Sequence, residues 1–459
     1  MRTDAAGHDL TLQSSEAAGA WDACVAAFLA HGAATPEHLA RALAAEPGFA
    51  LGHAAKGFFM LLLGRAELLP AADDALRAAR AAAAQGGANA REAAYVAALS
   101  DMRAGRQRAA AARLEAIARR WPGDSLAMKL TQAVRFILGD PAGMRAALAD
   151  QAPGFGADHP HRGYFLGCTA FALEETGDYA AAERAGLEGL ELAPDDAWGL
   201  HAVAHVHDMT GQPERGVRWL AGQSARWAHC NNFGYHVWWH LALFHLDRGA
   251  WGPALELYDR KVWPDRTDDY RDIANAASLL MRLELEGVDV GARWEALGEL
   301  CARRVDDGQV MFADLHYLLS LTRAGRAAEA EALSARIARD AERLDHDQHE
   351  VAALAALPAA QALLAFRNGD HARAHAAFAR AAPRMQALGG SHAQRDVFER
   401  LAVEAALRAG LLDEAEAMLA RRAARRGAED GYCARRRQAI AARRAQGRSG
   451  GLRAAPGAA

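Results

Sequence analysis

The chain is short of lysine. Its 459 residues carry 53 basic side chains, and only Lys56, Lys129 and Lys261 among them are lysines. None is followed by Ser or Thr, so the sequence lacks a phosphate-binding Gly-Lys-Ser/Thr loop. No Gly-x-Gly-x-x-Gly and no His-Glu-x-x-His occurs either, which removes the dinucleotide-binding fingerprint and the commonest zinc-protease motif. Aromatic residues are scarce at 7%, and much of the 51% apolar content is alanine, a strong helix former that brings little burial energy. The five cysteines (Cys24, Cys168, Cys230, Cys301 and Cys433) are odd in number, widely spaced and free of any C-x-x-C, the usage of reduced thiols. Long apolar runs are missing as well. Residues 58–63 form the longest strongly apolar stretch, far short of a bilayer span, and MRTDAAGHDLTLQSSEAAGA is too polar for a signal-peptide core. A formal net charge of −4 argues against nucleic acid as the partner of the main domain. The expectation is a cytoplasmic protein with neither membrane nor nucleic-acid contacts.

What the sequence does contain is a period. Glycines at positions 64, 105, 139, 177, 211, 249, 287, 325, 369 and 410 recur at separations of 34 to 44 residues, each between two Ala/Leu-rich helical patterns. Glycine suits such turns because a helix ends most cheaply on a residue with positive φ. The clearest copy spans residues 163–195: a first helix striped by Tyr164, Phe165, Cys168 and Phe171, a Gly177-Asp178-Tyr179 turn, and a second helix that stops at Pro194. A period near 34 with Gly, small residues and a closing Pro is the tetratricopeptide signature. The fold class expected is all-α, a tetratricopeptide-like solenoid of about ten helical hairpins with a concave inner surface. The repeat domain covers residues 1–426. Residues 427–459, basic and of low complexity, read as a tail: a frayed helix followed by disorder.

Nineteen histidines are unusual for a purely structural solenoid. Two pairs sit one helical turn apart, His201/His205 in LHAVAHVHDM and His236/His240 in YHVWWHLALF, so the members of each pair share a helix face. Measured back from the turn glycines, His201 lies 10 residues before Gly211, His240 lies 9 before Gly249 and His316 lies 9 before Gly325. Asp314 and Asp396 follow on the same face. Equal register in stacked hairpins predicts convergence on the concave surface. The competing reading makes each histidine a hydrogen-bonded core residue beside its tryptophans, and Cys168 reads as packing.

AWGLHAVAHVHDM, YHVWWHLALF, RLELEGVDVGARW, FADLHYLL and GGSHAQRDVFERL resemble the tetratricopeptide repeat protein 38 family, over a stretch from about residue 48 to Gly410. The resemblance implies a helical-repeat solenoid with His-rich helices. Its matching positions are His53, Trp198, His201, His205, His207, His236, Trp239, His240, Asp314, His316, Gln394, Arg395 and Asp396. Asp208 and His392 depart from the family pattern, and the tail beyond Arg426 is particular to this chain.

Two functions follow. The first is an interaction scaffold binding a protein, peptide or small-molecule ligand in a His/Trp-rich groove, with His53, Trp198, Trp239, Gln394 and Arg395 as ligand-binding candidates. The second is an enzyme with a hydrolase-like site in that groove. There His201, His205, His236, His240 and His316 are candidate ligands of a divalent metal (Zn, Fe or Mn), and His201, His240, Asp314, His316 and Asp396 are catalytic candidates. Arg395 would hold an anionic substrate group, and Trp198, Trp238 and Trp239 would wall the site. A shared metal requires the two histidine pairs to lie within about 5 Å of each other. Oligomeric state is left open.

Overall fold

A computed structural model describes residues 2–453, with side chains to residue 446. The architecture is all-helical, apart from a two-stranded antiparallel ribbon pairing Arg2–Thr3 with Asp9–Leu10. All ten turn glycines have positive φ, between 62° and 83°, so the period read from the sequence is the period of the helix breaks. Residues 163–195 fold as anticipated into the helices Arg162–Glu175 and Tyr179–Leu192. The next hairpins pair Ala197–Met209 with Pro213–Leu220, and Phe233–Asp247 with Trp251–Leu257, which runs on through a π-helical turn to Val262.

The two helices of a hairpin bury themselves differently. A second helix such as Ala327–Asp340 buries one stripe, Ala330, Leu333, Arg336, Ile337 and Asp340, and leaves the opposite side half-buried or exposed. First helices are enclosed on nearly every side: Met311–Arg323 is buried from Met311 through Thr322. A helix enclosed in this way must satisfy its polar side chains inside the protein. First helices pack against one another in chain order, Arg162–Glu175 on Ala197–Met209, then Phe233–Asp247, Tyr270–Leu285 and Met311–Arg323. Glycine permits the closest of these approaches. A Cβ on Gly167 would fall 1.8 Å from Asp196 Oδ2 and 3.1 Å from the Cα of Gly199.

The later part of the chain returns along the ends of the earlier first helices. Arg304 reaches Glu67 at 2.9 Å, the Asp347 amide donates to the Gly105 carbonyl at 3.0 Å, and the His392 amide donates to Glu175 at 2.7 Å. Arg426 pairs with Asp208 at 2.9 Å.

The frayed helix expected after Arg426 is corrected to a packed one, Gly431–Arg453. Tyr432, Cys433 and Ile440 are buried against Val403, Leu407 and Leu419. Its arginines have inward partners, Arg435 on Glu286 at 2.9 Å and Arg443 on the Leu407 carbonyl at 2.6 Å. The basic composition that looks like a solvated tail is ion pairing with the acids of this fold. The end of the expected tail, residues 454–459, lies outside the described residues. One helix, Gln348–Arg367, has the length and composition to cross a membrane, and 56% of its apolar window is buried against the rest of the chain.

Candidate metal centre

The helices Ala197–Met209 and Phe233–Asp247 lie side by side, and each turns its histidine pair towards the other. His205 Nε2 lies 2.9 Å from His201 Nε2, His201 Nε2 lies 3.1 Å from His236 Nε2, and His236 Nε2 lies 3.3 Å from His240 Nε2. One ligand nitrogen from each ring falls within 4.8 Å of all the others, inside the span that a shared metal requires. A metal bonded to four nitrogens at 2.0–2.1 Å would hold them about 3.3 Å apart. None of the four histidines is more than 8% exposed.

One tautomer is fixed in the form that ligates, that of His236. His236 Nδ1 donates to Asn275 Oδ1 at 2.9 Å, which leaves the His236 Nε2 lone pair facing the other rings. His205 Nδ1 lies 3.5 Å from Glu174 Oε2, the carboxylate placement that orients a metal-bound imidazole. Burial holds all four rings neutral: His236 falls to about 4, and His201, His205 and His240 lie well below the ordinary histidine range, with the neighbouring rings adding to the effect. Neutral imidazole is the form that binds metal. Glu174 is wholly buried, and neither of its carboxylate oxygens has a hydrogen-bond partner. Burial raises its carboxyl well above the usual range, with Glu175 and Asp208 adding repulsion.

Around this cluster stand rings. Trp239 stacks on His236 at 5.1 Å and meets His240 edge-on at 5.0 Å, while Trp198 lies 5.1 Å from His201. Lys129 donates to His31 at 3.1 Å and caps the Trp198 ring at 5.0 Å. Trp198 and Trp239 are thus packed against the cluster, as expected of its walls. Trp238 instead meets Trp227 and Lys261.

The remaining candidates are placed elsewhere. His316 donates through Nδ1 to the Phe312 carbonyl at 2.8 Å and is boxed by Phe312 and Phe398, so it is no ligand of this cluster. Equal register does not bring it in because Tyr270–Leu285 intervenes between Phe233–Asp247 and Met311–Arg323. Asp314 pairs with Arg336 at 2.5 Å, and burial raises its carboxyl to about 6. Asp396 sits among Arg282, Arg400 and Arg422, which together with Arg426 hold its carboxyl well below the usual range against the effect of burial. It has no free edge with which to orient a catalytic histidine.

The ligand-binding candidates are corrected too. His53 bonds the Pro47 carbonyl at 2.8 Å, and Gln394 closes the capping box of His392–Arg408 by accepting from the Ser391 amide at 2.9 Å. The Arg395 guanidinium is taken up by Gln386 at 3.0 Å, Glu175 at 3.4 Å and the Gly389 and Gly390 carbonyls, which leaves no fork for a substrate anion. The groove expected to expose these side chains is closed over the histidines. A surface cavity of about 540 Å³, lined by residues that include Thr11, Glu46, Phe49 and Gln85, shares none of them.

Sequence reasoning missed Glu174 and Asn275. Glu174 stands 3 residues before Gly177, half of an acidic pair closing an apolar helix. Asn275 is one of four buried polar residues, with Asp272, Ser278 and Arg282, of the first helix between the histidine pairs and His316.

Fold and site together define an all-helical protein whose neighbouring helices Ala197–Met209 and Phe233–Asp247 enclose a tetra-histidine cluster. No model of a known protein family matches the chain.

Proposed function

We propose that this chain is a metal-binding repeat protein of the tetratricopeptide type, in which His201, His205, His236 and His240 hold one divalent transition metal between neighbouring hairpins. The convergence of four Nε2 atoms within 4.8 Å carries the reading. In a metal-free cluster the lone pairs of crowded rings face one another, and one ring proton cannot serve two neighbours. A cation at the centre satisfies all four. The donor set narrows the metal: four imidazoles without a carboxylate suit Zn²⁺ or Fe²⁺, whereas Mn²⁺ favours oxygen.

Four protein ligands in an enclosed site are the arrangement of a structural centre, since a hydrolytic metal keeps a position for water. The metal on this reading clamps Ala197–Met209 to Phe233–Asp247. A scaffold that grips a peptide with these same histidines and with Trp239 needs them on an open face, and they are buried. The ion is the ligand that the site is shaped for. The ten glycine turns and the chain-order packing of first helices support the solenoid part of this reading.

Elemental analysis of protein purified without an affinity tag tests this reading. Near-stoichiometric zinc or iron is expected in the wild type and none in the His201→Ala/His240→Ala double variant. A metal supplied at about 100 times its Kd adds about 2.7 kcal/mol to stability, so Zn²⁺ should raise the melting temperature of the stripped wild type and not of the variant. A wild-type protein that carries neither metal and whose melting ignores both ions would overturn the reading.

A further inference from the structure

Beside the tetra-histidine centre lies a second group of ligand atoms that the proposed function does not use. Glu174, Glu175 and His392 each place one ligand atom within 4.8 Å of the others. Glu174 is the unusual member. Its residue is 0% exposed, it ends the apolar helix Arg162–Glu175, and both carboxylate oxygens lack a hydrogen-bond partner. Glu175, by contrast, is well served: it accepts from the His392 amide at 2.7 Å and faces Arg395 at 3.4 Å. Two carboxyl groups facing one guanidinium leave one negative charge without a local counterpart when both are ionised. Burying an unpaired carboxylate costs several kcal/mol, so such a group is protonated, paired or coordinated, and a cation that displaces the Glu174 proton supplies the missing partner.

We propose that Glu174, Glu175 and His392 form a second cation position, rich in oxygen, that binds a hard divalent ion of the Mn²⁺ class. Two carboxylates and one imidazole are the donor set for such an ion, in contrast to the four nitrogens next door. His392 Nε2 lies 3.0 Å from the Glu175 carbonyl and 3.5 Å from Glu175 Oε2. Without an ion His392 Nε2 donates to the Glu175 carbonyl; ligation moves the ring proton to Nδ1 and frees the Nε2 lone pair, and the ion replaces that hydrogen bond. Glu174 joins the two positions. One of its oxygens faces His205 Nδ1, whose ring offers Nε2 to the first centre, while the other remains for the second ion. The second position is independent of the first in its ligands, and it stands whether or not the tetra-histidine reading holds.

The test uses full-length, chelator-stripped protein loaded with one equivalent of Zn²⁺ and then titrated with Mn²⁺. The electron paramagnetic resonance signal of free Mn²⁺ reports uptake. Wild type should take up one Mn²⁺ per chain, and the His201→Ala/His240→Ala variant, which loses Zn²⁺, should still do so. Glu174→Gln should abolish uptake, and His392→Gln, at the partly exposed rim of the group, should weaken it at least about tenfold. Circular dichroism checks that each variant is folded, and His392→Gln decides the matter if Glu174→Gln is not. No uptake by the wild type, or unchanged uptake in a folded Glu174→Gln or His392→Gln, overturns the proposal. Failure of the first reading looks different: the wild type then fails to hold Zn²⁺ while Mn²⁺ uptake persists.

Discussion

At the scale of single residues, the centre is made by groups that fix what histidines can do. Asn275 is the clearest. By accepting the Nδ1 proton of His236 at 2.9 Å it selects the tautomer whose Nε2 faces the cluster. Partners of this kind are worth 10- to 100-fold in metal affinity, so Asn275→Ala is expected to weaken Zn²⁺ binding by about that factor in a chelator competition, with all four ligands intact. The same burial governs the response to acid. His236 and His316 are depressed to about 4, and His201, His205 and His240 lie well below the ordinary 6.5. Above pH 6.5 these rings are neutral in both the folded and the unfolded chain and cost nothing. As pH falls below 6.5 the unfolded chain binds protons that the folded one refuses. Stability therefore drops by up to about 1.4 kcal/mol per pH unit for each ring, down to about pH 4 for His236 and His316. Asp196, raised by burial to about 7, and Asp314, raised to about 6, act in the opposite sense: the folded chain takes up their protons first, which softens the fall. For stripped protein, melting temperatures measured from pH 7 down to pH 5 should decline. Asp272, raised to about 7, and Asp247, raised to about 6, act with Asp196 and Asp314, so a flat profile would mean that the carboxyls offset the rings in full.

At the scale of elements, the histidines meet because helices approach more closely than ordinary side chains allow. Gly167 and Gly199 bring Arg162–Glu175 against Ala197–Met209, and those helices carry Glu174 on one side and His201 and His205 on the other. Gly167→Ala drives a methyl group into the Asp196 carboxylate and should cost about 1–3 kcal/mol in denaturant unfolding. Gly252→Ala, where a Cβ meets nothing within 4 Å, is the control and should be neutral or slightly stabilising. This scale also separates what the sequence could convey from what it could not. Helices and their breaks were legible because each is a local event, an Ala/Leu pattern closed by a glycine at positive φ. The two histidine pairs were legible because adjacent hairpins preserve register. His316 was misplaced because register says nothing about an intervening helix, and Tyr270–Leu285 carries Ala277 and Ser278, 10 and 9 residues before Gly287, where another histidine would have continued the row. Arg395 and Gln394 look like ligand-binding groups in a motif and prove to be a loop clamp and a helix cap, roles settled by backbone carbonyls and amides that no side-chain pattern announces.

At the scale of the whole molecule, the return of the chain on itself is the feature least visible in the sequence, since contacts between residues 208 and 426 or 286 and 435 have no period. It gives the last helix, Gly431–Arg453, a structural task. Tyr432 is fully buried, its ring lies 4.4 Å from the Arg400 guanidinium and its hydroxyl donates to the Arg400 carbonyl at 3.3 Å. Asp430, just before the helix, binds the buried Arg422 at 2.6 Å, and Arg435 covers Glu286, whose side chain is only 3% exposed. Ending the chain at Gly427 takes Asp430 from Arg422, which keeps Asp396 and Glu399, and strips Glu286 of both Arg435 and Arg436. Breaking a buried pair of this last kind costs about 3–5 kcal/mol because a charge is left behind in the core. The truncated protein is expected to lose its cooperative thermal transition or to melt far below the full chain. Tyr432→Ala, which leaves the ion pairs in place, should cost about 3–5 kcal/mol in denaturant unfolding, the range for deleting a large buried ring. If the truncated chain melts with the full-length protein, the helix is a passive appendage and the buried arginines find other partners. If truncation and the tyrosine variant both destabilise, the basic C-terminal segment is the element that closes the core over the ends of the earlier helices.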